Sequence, residues 1–129
     1  SAALFSGASA NPERIKALID ATGSTLSEDG LLLYRRLVGD RNHVDGTLLM
    51  MAQWDLAPLI RDLPSIATET TFLIGGRDAT VPPKVSQDAA DRMPNSRAEV
   101  WDSCGHLLHE EAPDRVAACV SETLMEHVS

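Results

Sequence analysis

Asp78 and His106 are the two residues whose types and settings can do chemistry. Asp78 ends the run Phe72-Leu73-Ile74-Gly75-Gly76-Arg77-Asp78, and His106 lies in Gly105-His106-Leu107-Leu108-His109-Glu110-Glu111-Ala112-Pro113. In each case an apolar run gives way to a glycine-containing loop, the setting in which reactive side chains are held at the carboxyl edge of a parallel sheet. An imidazole can move a proton between a nucleophile and a leaving group while a carboxylate fixes its tautomer and stabilises the imidazolium. The pair therefore reads as the acid and base of a catalytic triad whose nucleophile is absent.

The elements that must position this pair change type midway along the chain. Asn11 and Pro12 supply a cap and a first-turn proline to a helix with Ile15, Leu18 and Ile19 on one side, and Gly23 stops it. Ser27 caps a second helix carrying Leu31, Tyr34, Leu37 and Val38 up to Gly39. A third run from about Asn42 to Trp54 groups Val44, Leu48, Met51 and Ala52, and a short helix restarts at Asp55 and closes at Pro64. Thr70 to Ile74 then reads as a strand with little alternation, expected to be central and covered on both faces. A helix follows Pro82-Pro83 with Val85, Ala89 and Met93, Ala98 to Trp101 makes a second strand, and Pro113 opens a terminal helix through Val116, Ala117, Val120 and Leu124. This βαβα order implies a parallel pair with a right-handed crossover, which brings both strand ends, and so Asp78 and His106, to one side.

Composition bounds what the chain can do. Its 129 residues suit one domain, and 43% hydrophobic with 4% aromatic residues predicts a largely aliphatic core. A net charge of -8 without a basic cluster argues against nucleic-acid partners. Cys104 and Cys119 lack zinc or redox spacing and read as reduced structural thiols, so a cytoplasmic setting is expected. No apolar stretch approaches the roughly 18 residues of a membrane span, and no basic flank precedes an apolar run at the start of the sequence. His106 and His109 with Glu110 or Glu111 lack a third ligand at recognisable spacing, so neither metal nor cofactor is expected. Glu111 reads as a brace for the loop or for the helix after it, and Cys104 as structural rather than as a nucleophile.

Gly75-Gly76-Arg77-Asp78, and Gly105-His106 with Glu111 and Pro113, resemble the carboxyl-terminal half of the α/β-hydrolase fold, in which such loops carry the triad acid and base. Within that superfamily, Ala21-Thr22-Gly23-Ser24, the helix around Tyr34, and Leu49-Met50-Met51-Ala52-Gln53-Trp54-Asp55-Leu56 are similar to the bacteriochlorophyll-biosynthesis hydrolases associated with magnesium chelatase. The resemblance implies a helical cap over residues 1–65 and the end of a core domain over 66–129. It implies a substrate pocket faced by Met50, Met51, Gln53 and Trp54, and a magnesium-chelatase or tetrapyrrole-related partner. At helical spacing the same methionines and Trp54 read more readily as core. The family's nucleophilic serine sits in an elbow upstream of the cap; Gly7-Ala8-Ser9-Ala10-Asn11 imitates its start, but Asn11 replaces the closing glycine and no strand precedes it. The oxyanion hole is expected to be missing as well, so the chain alone is expected to hydrolyse no ester.

The expected architecture is thus a partial α/β-hydrolase fold, with helices first and a βαβα unit after them. Two parallel strands are too few for an independent sheet. A homodimer covering the open edge near Phe72 or Trp101 is therefore expected, either beside a catalytic role or as a purely non-catalytic assembly module.

Overall fold

The computed structural model describes residues 11–128. Four helices come first: α1 (Pro12–Asp20), α2 (Glu28–Gly39), α3 (Arg41–Ala52) and α4 (Ala57–Asp62), with a 3-10 turn at Leu63–Ser65. Then follow β1 (Thr70–Gly75), α5 (Pro83–Arg92), β2 (Ser96–Trp101), a short α6 (Leu108–Glu111) and α7 (Pro113–Glu126). The imitation of an elbow at Ser9 lies outside the described residues.

Local chemistry sets the helix boundaries as the sequence predicts. The Asn11 side chain accepts from the Glu13 amide at 2.9 Å, and Ser27 accepts from Gly30 at 3.3 Å. Gly23 follows α1 with φ of 81°, a left-handed conformation that glycine adopts without a Cβ penalty. Asp40 both ends α2 and starts α3, its Oδ1 taking the amides of Asn42 and His43 at 2.9 and 3.2 Å, so α3 begins slightly before the expected Asn42. Helix α6 is an addition to the predicted elements. A four-residue helix shows no periodicity, and Pro113 forces Ala112 out of the helical region (φ -135°, ψ 59°), which separates α6 from α7.

Strands β1 and β2 pair in parallel, with Thr70 opposite Ser96 and Gly75 opposite Trp101. The crossover helix α5 packs on both strands. Ile74, Ala90, Met93, Trp101 and Cys104 are buried in this half, and Ile15 and Ile19 in α1. The Arg115 guanidinium of α7 lies 3.8 Å from the Trp101 ring centroid, covering the largest buried side chain with a cation.

Two expectations need correction. The low alternation in Thr70 to Ile74 predicts a central strand, yet among the described residues the sheet is two-stranded and β1 keeps an edge with no strand beside it. An apolar run reports that a strand has something to bury, and does not say whether the covering element is present. The apolar sides of α2 and α3 read as core in the sequence, but neither helix contains a buried residue. Leu49, Trp54, Leu56 and Leu59 are each more than half exposed.

Candidate active site

Three connections meet at the carboxyl ends of the two strands: the β1 exit, the β2 exit and the turn between α1 and α2. They approach so closely that glycine is required. A Cβ on Gly75 would lie 2.0 Å from the Gly105 carbonyl oxygen, and one on Gly105 would lie 2.2 Å from the Gly23 carbonyl carbon. Backbone hydrogen bonds follow from that proximity. The Arg77 amide donates to the Cys104 carbonyl at 2.9 Å, and the Thr22 carbonyl accepts from both Ala79 at 3.1 Å and His106 at 3.3 Å. One carbonyl thus ties down the residue after Asp78 and His106 itself.

This scaffold brings Asp78 and His106 into direct contact, Nδ1 to Oδ2 at 2.9 Å. The Asp78 side chain is 13% exposed and that of His106 37%. Oδ1 of Asp78 accepts from the Thr80 and Val81 amides at 2.9 and 2.8 Å. Burial pushes the Asp78 carboxyl upward, but the hydrogen bonds from His106, Val81 and Thr80 outweigh it and hold the group below its ordinary 3.8. An ionised carboxylate only accepts, so Nδ1 is the donor, and in a neutral ring Nε2 then carries the lone pair.

Glu111 closes the other side of the His106 loop. Its Oε2 accepts from the Gly105 amide at 2.7 Å and its Oε1 from Thr25 at 3.0 Å. Burial again pushes upward, while the amides of Thr25 and Gly105, the Ser24 hydroxyl and the charge of Arg77 prevail and set Glu111 below 4.5. Next to it, Glu110 takes the phenol of Tyr34, whose pKa is raised to about 12 by burial and then by that carboxylate. Helix α2 is thereby fastened to α6.

Both depressed carboxyls make stability depend on acidity, with a definite sign. The unfolded chain binds protons at higher pH than the folded chain does, so falling pH favours unfolding. The contribution is complete above about pH 5 and disappears as pH falls through the folded values below 4.5 and 3.8. Urea unfolding at neutral pH and at about pH 3 should therefore differ, and Glu111→Gln should shrink that difference. A pH dependence equal to that of the parent chain would contradict the assignment.

The remaining predicted residues lie apart from this pair in their bonding. Met50, Met51 and Trp54 at the end of α3 are 51%, 47% and 58% exposed, and Gln53 donates to the Leu49 carbonyl at 3.2 Å. Among the described residues no hydrogen bond or ion pair joins the four to Asp78 or His106. Cys104 is 5% exposed with its sulfur near Ser103, and both cysteines are free thiols. Among the described residues no group of three or more His, Cys, Asp or Glu converges as a metal site, and no helix is long and apolar enough to cross a membrane. Thr22 and Ser24 carry no role on sequence reasoning alone. The signal available was the Thr-Gly-Ser sequence at the end of the first helix, whose partners Ala79, His106 and Leu107 are far away in the chain.

Residues 2–119 match the family model described as Alpha/beta hydrolase family. The chain is also 42% identical over 115 residues to a protein of Rhodobacter capsulatus described as "Magnesium-chelatase 30 kDa subunit". That match takes in 89% of this chain but 40% of the relative's length.

Proposed function

The chain belongs to the alpha/beta hydrolase family, and from that premise we propose that Asp78 and His106 are the acid and base of a serine-hydrolase triad. Its nucleophile and oxyanion hole come from polypeptide outside residues 11–128. The observation that carries the reading is the 2.9 Å bond between two side chains delivered by different strands. With Nδ1 committed to Asp78, Nε2 accepts the nucleophile's proton as its oxygen bonds to the substrate carbonyl, and Asp78 stabilises the resulting imidazolium. The proton then passes to the leaving group. Residues 1–65 act as the cap over this chemistry and 66–129 as the end of the core, with Met50, Met51, Gln53 and Trp54 turned to substrate. The name of the Rhodobacter capsulatus relative supports a chelatase-related partner, and a tetrapyrrole-related role accompanies that reading.

A fluorophosphonate probe tests this reading on a protein in which the chain is joined to the nucleophile, because it labels a serine only where a base activates it. A single labelled serine upstream of residue 11 is expected, with labelling abolished in His106→Ala. Labelling that persists at the parent rate in that variant would sink the proposal.

A second reading, assembly with another copy of the chain, is favoured by one observation. The Thr71 Oγ1 atom on β1 is buried without a hydrogen-bond partner. It borders a cavity of about 230 Å³ between β1 and α7, whose Val120 and Leu124 are 53% and 62% exposed. Light scattering on the chain should then report a dimer mass, and a monomer mass at high concentration would exclude it.

A further inference from the structure

We propose that Glu111 is a positioning residue for His106: its carboxylate, with Ser24, clamps the backbone on both sides of the base to the turn between α1 and α2. The proposal rests on the reading of His106 as the base, and it adds a residue to that machinery without giving it a part in the proton transfer.

The geometry is built from three consecutive amides. Gly105 donates to Oε2 of Glu111 at 2.7 Å, His106 donates to the Thr22 carbonyl at 3.3 Å, and Leu107 donates to the Ser24 hydroxyl oxygen at 2.8 Å. Every N–H from the residue before the base to the residue after it is therefore held from outside its own loop. Thr25 then donates to Oε1 of Glu111 at 3.0 Å, so the carboxylate bridges the turn and the loop directly. Ser24 is 1% exposed, and its hydroxyl oxygen is the acceptor that fixes the Leu107 amide to the turn.

A carboxylate is the group this arrangement needs. It must accept on both oxygens from two backbone donors, and only an ionised acid offers acceptors at both ends. In Glu111→Gln the amide NH2 must face either Gly105 or Thr25, placing donor against donor. The ring of His106 hangs from the backbone so restrained, and its alignment on Asp78 depends on those dihedrals.

The test reads the His106–Asp78 bond itself, by proton NMR of the Nδ1–H signal in the chain. A merely structural brace would not move this signal while the fold persists. In the parent chain a downfield, slowly exchanging Nδ1–H resonance is expected. In Glu111→Gln, with circular dichroism and amide protection in β1 and β2 unchanged, exchange of that proton should accelerate about 10-fold or more, the scale of losing a charge-assisted bond. Ser24→Ala keeps the carboxylate and its two amides but removes the link to Leu107, and a smaller acceleration of about 3-fold is expected. If Glu111→Gln does not fold, Ser24→Ala decides alone. An unchanged exchange rate in a folded variant overturns the proposal while leaving the acid and base reading intact. Absence of the resonance in the parent chain overturns both.

Discussion

Asp78→Asn, placed in a protein that carries the nucleophile, is expected to lower kcat for ester hydrolysis by about 10⁴ with little change in KM. The structure says why so small a change should have so large an effect. Oδ1 of Asp78 accepts from two amides, Thr80 and Val81, and a side-chain NH2 in that place would meet two donors. The introduced asparagine is therefore forced to put its oxygen on Thr80 and Val81 and its NH2 toward His106. Nδ1 of His106 must then accept, which moves the ring proton to Nε2, the nitrogen that has to be bare to take a proton from the nucleophile. The fold should survive, because both backbone bonds are kept. Steady-state kinetics beside urea unfolding measure the two effects separately. A variant retaining more than about a tenth of parent activity would contradict the assigned role of Asp78.

A large stability effect is expected at Gly105→Ala. Its Cβ would lie 2.2 Å from the Gly23 carbonyl carbon and 2.4 Å from both the Gly23 oxygen and the Ser24 nitrogen. These are backbone atoms in a turn already fixed by the Thr22 carbonyl, so neither partner can yield cheaply. A cost of about 3 kcal/mol or more is expected, enough to leave much of the chain unfolded if its total stability is ordinary. Gly46→Ala provides the contrast, since nothing lies within 4 Å of the added carbon in the middle of α3. There alanine should stabilise by up to about 1 kcal/mol. Urea denaturation of the two variants beside the parent checks both signs, and a Gly105→Ala midpoint equal to the parent's would refute the described packing of the three connections.

Much of the fold was legible because it is written locally. Asn11 and Ser27 mark helix starts by side-chain hydrogen bonds, Pro12 and Gly39 mark a start and an end by their backbone preferences, and the change of period at Thr70 marks the strand. The crossover rule then places Asp78 and His106 on one side of a sheet before any coordinate is known, and the 2.9 Å contact agrees with that placement. What was not legible is carried by long-range partners. Thr22 and Ser24 look like residues after a helix stop, and nothing nearby in the chain says that a carbonyl and a hydroxyl there would hold the loop of His106. Glu111 was readable as a brace, but its partner Thr25 was not. The exposure of α2 and α3 was hidden for a related reason: an apolar stripe at helical spacing records the need for a cover, whichever polypeptide supplies it.

The bonds that hold the base have a bearing on how the chain acquires its shape. Thr25 and Glu111 are 86 positions apart, and Ser24 and Leu107 are 83 apart. Contacts of such separation close late, after nearby helices and the crossover have formed, because the entropy of closing so long a loop is met only when other structure has shortened it. During synthesis the Gly105 and Thr25 amides cannot reach their carboxylate until residue 111 has left the ribosome.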